Sequence, residues 1–181
     1  MGHSQDKKRQ RWHKSDYDLV RLVRCGIGSF IGISIVAYLS LHYKFELLVP
    51  SFGASAVLLY AAPQAPMAHP KNVLGGHLIS AMIGVTVYQL FGYSWWSLAI
   101  GVTLAILGMV VSGTTHPPGG ATAFAAIATQ QNYFFVLTSV AMGVVILIAV
   151  ALFVNNFRVE QKWPHSSSSS NSNSKTKSPS A

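Results

Sequence analysis

Two adjacent prolines, Pro117 and Pro118, interrupt an apolar stretch that holds no Asp, Glu, Lys or Arg between Lys71 and Arg158. Each proline removes a backbone donor and pushes the residue before it towards extended geometry. In hydrocarbon such a break survives only where protein or a water-lined cavity surrounds it. The stretch Thr115-His116-Pro117-Pro118-Gly119-Gly120-Ala121-Thr122-Ala123 therefore limits the chain to folds that shield it, and it marks a candidate site.

The composition fits that setting. Half of the 181 residues are hydrophobic and only 10% are charged, against about 25% in soluble domains. Apolar runs of roughly 20 residues match the length that crosses a bilayer core as helix. The formal charge of +8 is concentrated at the ends. Lys7, Lys8, Arg9, Arg11, Lys14, Arg21 and Arg24 lie at the start; Arg158, Lys162, Lys175 and Lys177 follow the last apolar run. Basic flanks of this kind predict two cytoplasmic termini and an even number of crossings, and they argue against nucleic acid as the partner. The single cysteine, Cys25, forms no internal disulfide. The basic start lacks a small-residue cleavage site after its apolar run, so it reads as an uncleaved signal anchor.

Along the chain, residues 1–18 form a polar, basic lead. Full spans are expected at 19–42, 73–91, 97–113 and 134–154, with short half-span or re-entrant helices at 49–62 and 118–128. A proline-rich loop joins residues 63–72, and residues 158–181 form a Ser-rich tail with too little apolar content to fold alone. Tyr93, Trp95 and Trp96 suit an interfacial aromatic belt. Small residues recur at helical spacing: Gly28 and Gly32; Gly76, Ser80 and Gly84; Gly101, Ala105, Gly108 and Ser112. They let membrane helices approach closely, within one chain or in a homo-oligomer. The expectation is an all-α membrane protein with four full transmembrane helices and two short ones.

A candidate internal two-fold repeat underlies this order. The shift that puts Pro50 on Pro117 also puts Gly53 on Gly120, Ala54 on Ala121, Ser55 on Thr122 and Ala56 on Ala123. Transporters built from repeats place their sites at the repeat interface near the midplane. Prolines at a first helical turn, followed by glycines, leave backbone amides open at the positive end of a helix dipole, which suits an anion. Ser55 and Thr122 add hydroxyls, His116 adds a group that changes charge near neutral pH, and His77 lies within the second span. The candidate substrate-binding set is Gly53, Ser55, His77, His116, Gly119, Gly120 and Thr122. No cofactor is implied. A three-histidine metal site (His69, His77, His116) matches no ligand spacing. A serine nucleophile at Ser55 needs a histidine within hydrogen-bond reach, which the spacing does not ensure.

The stretch His116–Ala123 resembles the signature of the HPP family of integral membrane proteins. Gly53-Ala54-Ser55-Ala56-Val57-Leu58-Leu59 and Pro70-Lys71-Asn72-Val73-Leu74-Gly75-Gly76-His77 carry the resemblance further, over about residues 26–154. Two places depart from the family pattern. Ser51-Phe52-Gly53 stands where Pro-Phe-Gly is usual, and His69-Pro70-Lys71 stands where Gln-Pro-Arg is frequent. The resemblance implies a four-span membrane domain (19–157), and it links relatives to nitrite transport. The start resembles a bacterial cytoplasmic lead rather than an organelle transit peptide, which points to an inner membrane. The resulting expectation is a transporter or channel for a small anion such as nitrite, and no enzyme; a non-transporting scaffold with structural proline breaks is the alternative.

Overall fold

The computed structural model of the chain describes residues 19–43 and 50–156. The basic lead, most of the Tyr43–Glu46 interface patch and the Ser-rich tail lie outside the described residues. Six helices follow in order: α1 (Leu19–Tyr43), α2 (Pro50–Ala61), α3 (Pro70–Phe91), α4 (Trp95–Val111), α5 (Pro118–Ala128) and α6 (Tyr133–Asn156). Helices α2 and α6 each contain a wide π-helical stretch, at Val57–Ala61 and Val136–Ala141. A single 3-10 turn, Pro66–Ala68, precedes α3.

Local chemistry sets the boundaries. Proline opens α3 and α5 at the first turn, where its missing donor leaves nothing unpaired. Helix α3 thus begins at Pro70, inside the expected loop, and His69 Nδ1 accepts from the Lys71 amide as its cap (3.3 Å). Ser94 and Ser97 form a reciprocal capping box that starts α4 two residues earlier than expected. Gly92, with φ +72°, ends α3. Gly113, with φ +62°, turns the chain out of α4.

Among the described residues, three helices are long and apolar enough to cross a bilayer core: Leu19–His42, Pro70–Phe91 and Tyr133–Asn156. The fourth expected full span, 97–113, corresponds to α4, which has 17 residues and lies two residues earlier. At about 1.5 Å per residue it reaches roughly 25 Å, at the lower limit for spanning a core of about 30 Å. The short helices fall where the proline breaks predict them. Large apolar side chains face outward all round, among them Phe30, Leu41, Val111, Phe134, Leu137 and Phe153. A lipid-facing surface requires that arrangement. Trp95 is 82% exposed at the start of α4, as an interfacial belt residue should be.

The small-residue faces are filled within the chain. Gly28 and Gly32 of α1 receive the ring of Tyr60, whose hydroxyl donates to the Leu147 carbonyl (3.1 Å). Gly101 of α4 receives Ile127, and Gly143 of α6 receives the ring of Phe52. The closest backbone approach joins α3 to α5. A Cβ on Gly84 would lie 2.7 Å from the Ala123 carbonyl, and one on Gly119 would lie 2.9 Å from the Gly76 carbonyl. The main core (Phe52, Leu59, Tyr60, Val85, Val140, Val144 and Leu147 among others) lies where α2, α3 and α6 meet.

Gly53 differs from Gly119: a Cβ there meets nothing within 4 Å. Gly53→Ala should therefore raise stability by about 0.5 kcal/mol through the better helix former. Gly119→Ala should lower it by about 1–3 kcal/mol through overpacking against backbone. Thermal unfolding of both variants in detergent checks the pair, and equal shifts would contradict this packing.

Candidate functional site

Ser51 and Ser55 stand four residues apart, so they share one face of α2. That face meets α3 at His77 and the His116 segment that leads into α5. Ser55 Oγ lies 2.7 Å from His77 Nε2 and 2.9 Å from His116 Nε2. It also reaches the Ser51 carbonyl at 3.0 Å. On the far side of the ring, His77 Nδ1 lies 2.7 Å from Thr122 Oγ1, and Thr122 donates to Ser51 Oγ at 2.8 Å. His116 Nδ1 donates to the Met67 carbonyl at 2.8 Å. The two imidazoles sit 4.9 Å apart between ring centroids, and Phe52 packs edge-on against His77.

The helices explain the convergence. Pro117 and Pro118 bring the chain sharply from α4 into α5, which leaves His116 beside the α5 start and over Gly76. A Cβ on Gly76 would come within 2.6 Å of His116 Cβ, so only glycine lets the ring approach His77. The Pro66–Ala68 turn supplies the carbonyl that fixes the far side of His116. Ser55, His77, His116 and Thr122 are each 0% exposed. Each buried side chain has hydrogen-bond partners, as an apolar interior requires. One exception adjoins the cluster. Ser80 Oγ is buried without a partner, and a Cβ on Gly119 would lie 2.8 Å from it.

The structure thus unites four of the seven expected site residues, Ser55, His77, His116 and Thr122, and leaves Gly53, Gly119 and Gly120 outside their hydrogen-bonded cluster. Gly119 is a packing residue, pressed against Gly76, Ser80 and Met109. Gly53 and Gly120 have no close neighbour. The expected amide cradle is closed, because the Gly119 amide donates to the His116 carbonyl (2.8 Å) and the Gly120 amide to the Pro117 carbonyl (3.2 Å). Tight turn bonds at the helix start have taken the donors that an anion would use. The serine–histidine contact that spacing left open is made twice. Ser51 and the Met67 carbonyl were not anticipated. The four-residue spacing of Ser51 and Ser55 was a signal for the first, whereas a backbone carbonyl leaves none. His69 caps α3 and is not part of the cluster.

The electrostatics are one-sided. The described residues contain no Asp or Glu, and their only lysine and arginines are Arg21, Arg24 and Lys71. Arg21 donates to the Ala61 carbonyl at 3.1 Å, at the negative end of α2, and Lys71 is exposed. None of the three joins the cluster, so its chemistry belongs to two imidazoles and three hydroxyls.

Comparison with known proteins places this site in a family. Two proteins of Dictyostelium discoideum, each named simply as a transmembrane protein, match the chain at 35% and 31% identity. Both alignments cover 81% of this chain, but 51% and 56% of the respective relatives. The chain thus spans about half the length of the curated relatives it matches. No solved structure matches it. The profile described as "HPP, transmembrane region" matches residues 14–164, which include every side chain of the cluster; the chain belongs to the HPP transmembrane family.

Proposed function

We propose that this protein carries a small anion across its membrane, with nitrite the first candidate, and that Ser55, His77, His116 and Thr122 meet the anion when the site opens. The buried cluster between two proline-started helices carries the reading. Ionisable side chains inside a membrane domain are costly and mark pathways. With no carboxylate among the described residues, the only charge the side chains of this cluster can adopt near neutral pH is that of an imidazolium. An anion is its complement. The solid packing suits an occluded state, in which α2 or α5 must shift before anything enters.

The two-fold repeat belongs to the same reading and has support in the contacts. Under the shift that puts Pro50 on Pro117, Phe52 corresponds to Gly119 and Gly143 to Gly76. Phe52 packs on Gly143, and Gly119 packs on Gly76. Exchanging the halves exchanges these contacts, as duplicated units require. With α4 as a fourth crossing, the basic flanks put both termini in the cytoplasm, of a bacterial-type inner membrane if the basic lead is read as above.

Purified protein in liposomes should take up nitrite faster than empty vesicles. His116→Ala should slow uptake about tenfold or more, the cost of losing a hydrogen bond to a charged group, while helix content is retained. Wild-type uptake equal to that of empty vesicles would remove the transport reading. A variant that loses fold or partner capture while flux is unchanged would favour the scaffold.

The double serine–histidine contact also favours a second reading, acyl transfer from Ser55 with an imidazole as base. A fluorophosphonate probe separates the two. Burial of Ser55 predicts no labelling, whereas labelling that Ser55→Ala abolishes would establish a nucleophile. The unpartnered hydroxyl of Ser80 gives a further expectation. Ser80→Ala should raise stability by about 1 kcal/mol by removing an unsatisfied buried group. If it also slows uptake, the hydroxyl serves the open site; a drop in melting temperature would show that it has a structural partner.

A further inference from the structure

One hydroxyl at the centre of the cluster has a single hydrogen and three acceptors: Ser55 Oγ meets the Ser51 carbonyl, His77 Nε2 and His116 Nε2. Five contacts run in one line: His116 to the Met67 carbonyl, His116 to Ser55, Ser55 to His77, His77 to Thr122, and Thr122 to Ser51. The contact with the Ser51 carbonyl, at 3.0 Å, competes for the same Ser55 hydrogen and stands outside the line. Two neutral imidazoles and three hydroxyls bring one hydrogen for each contact of the line. A carbonyl only accepts, so His116 Nδ1 bears a hydrogen, and the neutral line is filled when every other donor points towards His116. The opposite sense, in which Thr122 donates to Ser51, makes His77 Nδ1 donate to Thr122 and Ser55 donate to His77 Nε2. The 2.9 Å contact between Ser55 Oγ and His116 Nε2 is then filled only if His116 carries a second hydrogen.

We propose that the row Ser51–Thr122–His77–Ser55–His116 is a proton relay, and that passage of one proton reverses every donor in it. In the neutral row Ser51 donates to Thr122, Thr122 to His77 Nδ1, His77 Nε2 to Ser55, and Ser55 to His116 Nε2. A proton arriving at Ser51 Oγ displaces the Ser51 hydrogen onto Thr122. The Thr122 hydrogen moves to His77 Nδ1, the Nε2 hydrogen of His77 to Ser55, and the Ser55 hydrogen to His116 Nε2. Each O–H or N–H bond that breaks is matched by one that forms, and the net change is one proton, resident on His116. His77 exchanges its Nε2–H tautomer for Nδ1–H. The row has two distinct ends. Ser51 sits one residue from exposed Pro50 at the start of α2. His116 is held by the carbonyl of Met67, a residue 43% exposed, in the turn beyond the other end of α2.

The groups facing the two rings are few. Helix α2 contributes Ser55 and Phe52; α3 contributes Gly76; α5 contributes Thr122; the turn before α3 contributes the Met67 carbonyl. No lysine, arginine or carboxylate of the described residues hydrogen-bonds to this set, so the added proton can be shared only along the row. The relay rests on these contacts and not on anion carriage.

Nitrogen-15 NMR of histidine-labelled protein in lipid nanodiscs reads both rings directly, with His77→Asn and His116→Gln used for assignment. Over about pH 4 to 9, the range in which a histidine proton can be followed, His116 should gain its second N–H in one step. His77 should switch tautomer with the same midpoint. Ser55→Ala should split that step, and Thr122→Ser, which keeps the hydroxyl, should preserve it. A His77 ring that keeps one tautomer throughout overturns the relay, as do wild-type rings that titrate with separate midpoints or not at all. Because no anion is present, the result stands apart from whether nitrite crosses the membrane.

Discussion

The contact of one hydroxyl with two imidazoles organises this molecule. Helices packed in lipid gain little from burying apolar surface, because the surroundings are as apolar as the interior. Close packing and polar contacts must decide their arrangement. Helix α2, with Pro50–Ala61 as its full extent, is too short to be fixed by spanning. Ser55 binds it to α3 through His77 and to the α5 start through His116. Ser51 adds a second link to α5 through Thr122. A helix that cannot cross is thereby held by its polar face, while its opposite contacts, Phe52 on Gly143 and Tyr60 on Gly28 and Gly32, complete the packing.

Glycine spacing makes that polar contact attainable. Gly76 lies directly under His116, and Gly84 lies against the Ala123 carbonyl one helix turn after Ser80. A methyl group at either place would part α3 from α5 and draw Thr122 away from His77. The small-residue stripe on α3 and the hydrogen-bonded row are therefore one construction, in which backbone proximity sets the reach of short side chains. Short hydroxyl side chains suffice for the same reason: at such separations serine and threonine already touch the rings.

Much of this could be read from the sequence, for reasons that differ by residue. Pro50 and Pro118 announce helix starts because a missing amide is tolerated only in a first turn, whereas Pro70, read as part of a loop, opens α3 by the same rule. The uncharged stretch between Lys71 and Arg158 announces lipid. His77, His116, Ser55 and Thr122 stood out because titratable or hydroxyl groups need a reason to be there. The amide cradle was misread because sequence does not show whether the first amides of a helix bend back onto the preceding carbonyls, as Gly119 and Gly120 do. Helix α4 lies two residues earlier than expected because the Ser94–Ser97 box and the Gly113 turn, rather than its hydropathy, set its ends. The meeting of Ser55 with both rings depends on helix–helix register, which no local pattern encodes.

The two halves of the chain contribute unequally to the row, and that inequality gives it direction. Under the alignment of Pro50 with Pro117, Ser55 and Thr122 correspond, and they occupy the two nitrogens of one ring, His77. The position that corresponds to His77 in the second half is Val144, fully buried in the apolar core. A symmetric pair would have presented two equivalent rings and two equivalent routes. Valine at the second place leaves one ring between two like hydroxyls, with His116 attached on the Ser55 side alone. The two nitrogens of His77 thus look onto similar groups but lead to different ends, Ser51 in one direction and the Met67 carbonyl in the other. Each nitrogen of His77 faces a hydroxyl oxygen, so either tautomer of the ring is matched, and the proposed relay leaves its proton on His116 because that ring is joined at the Ser55 end.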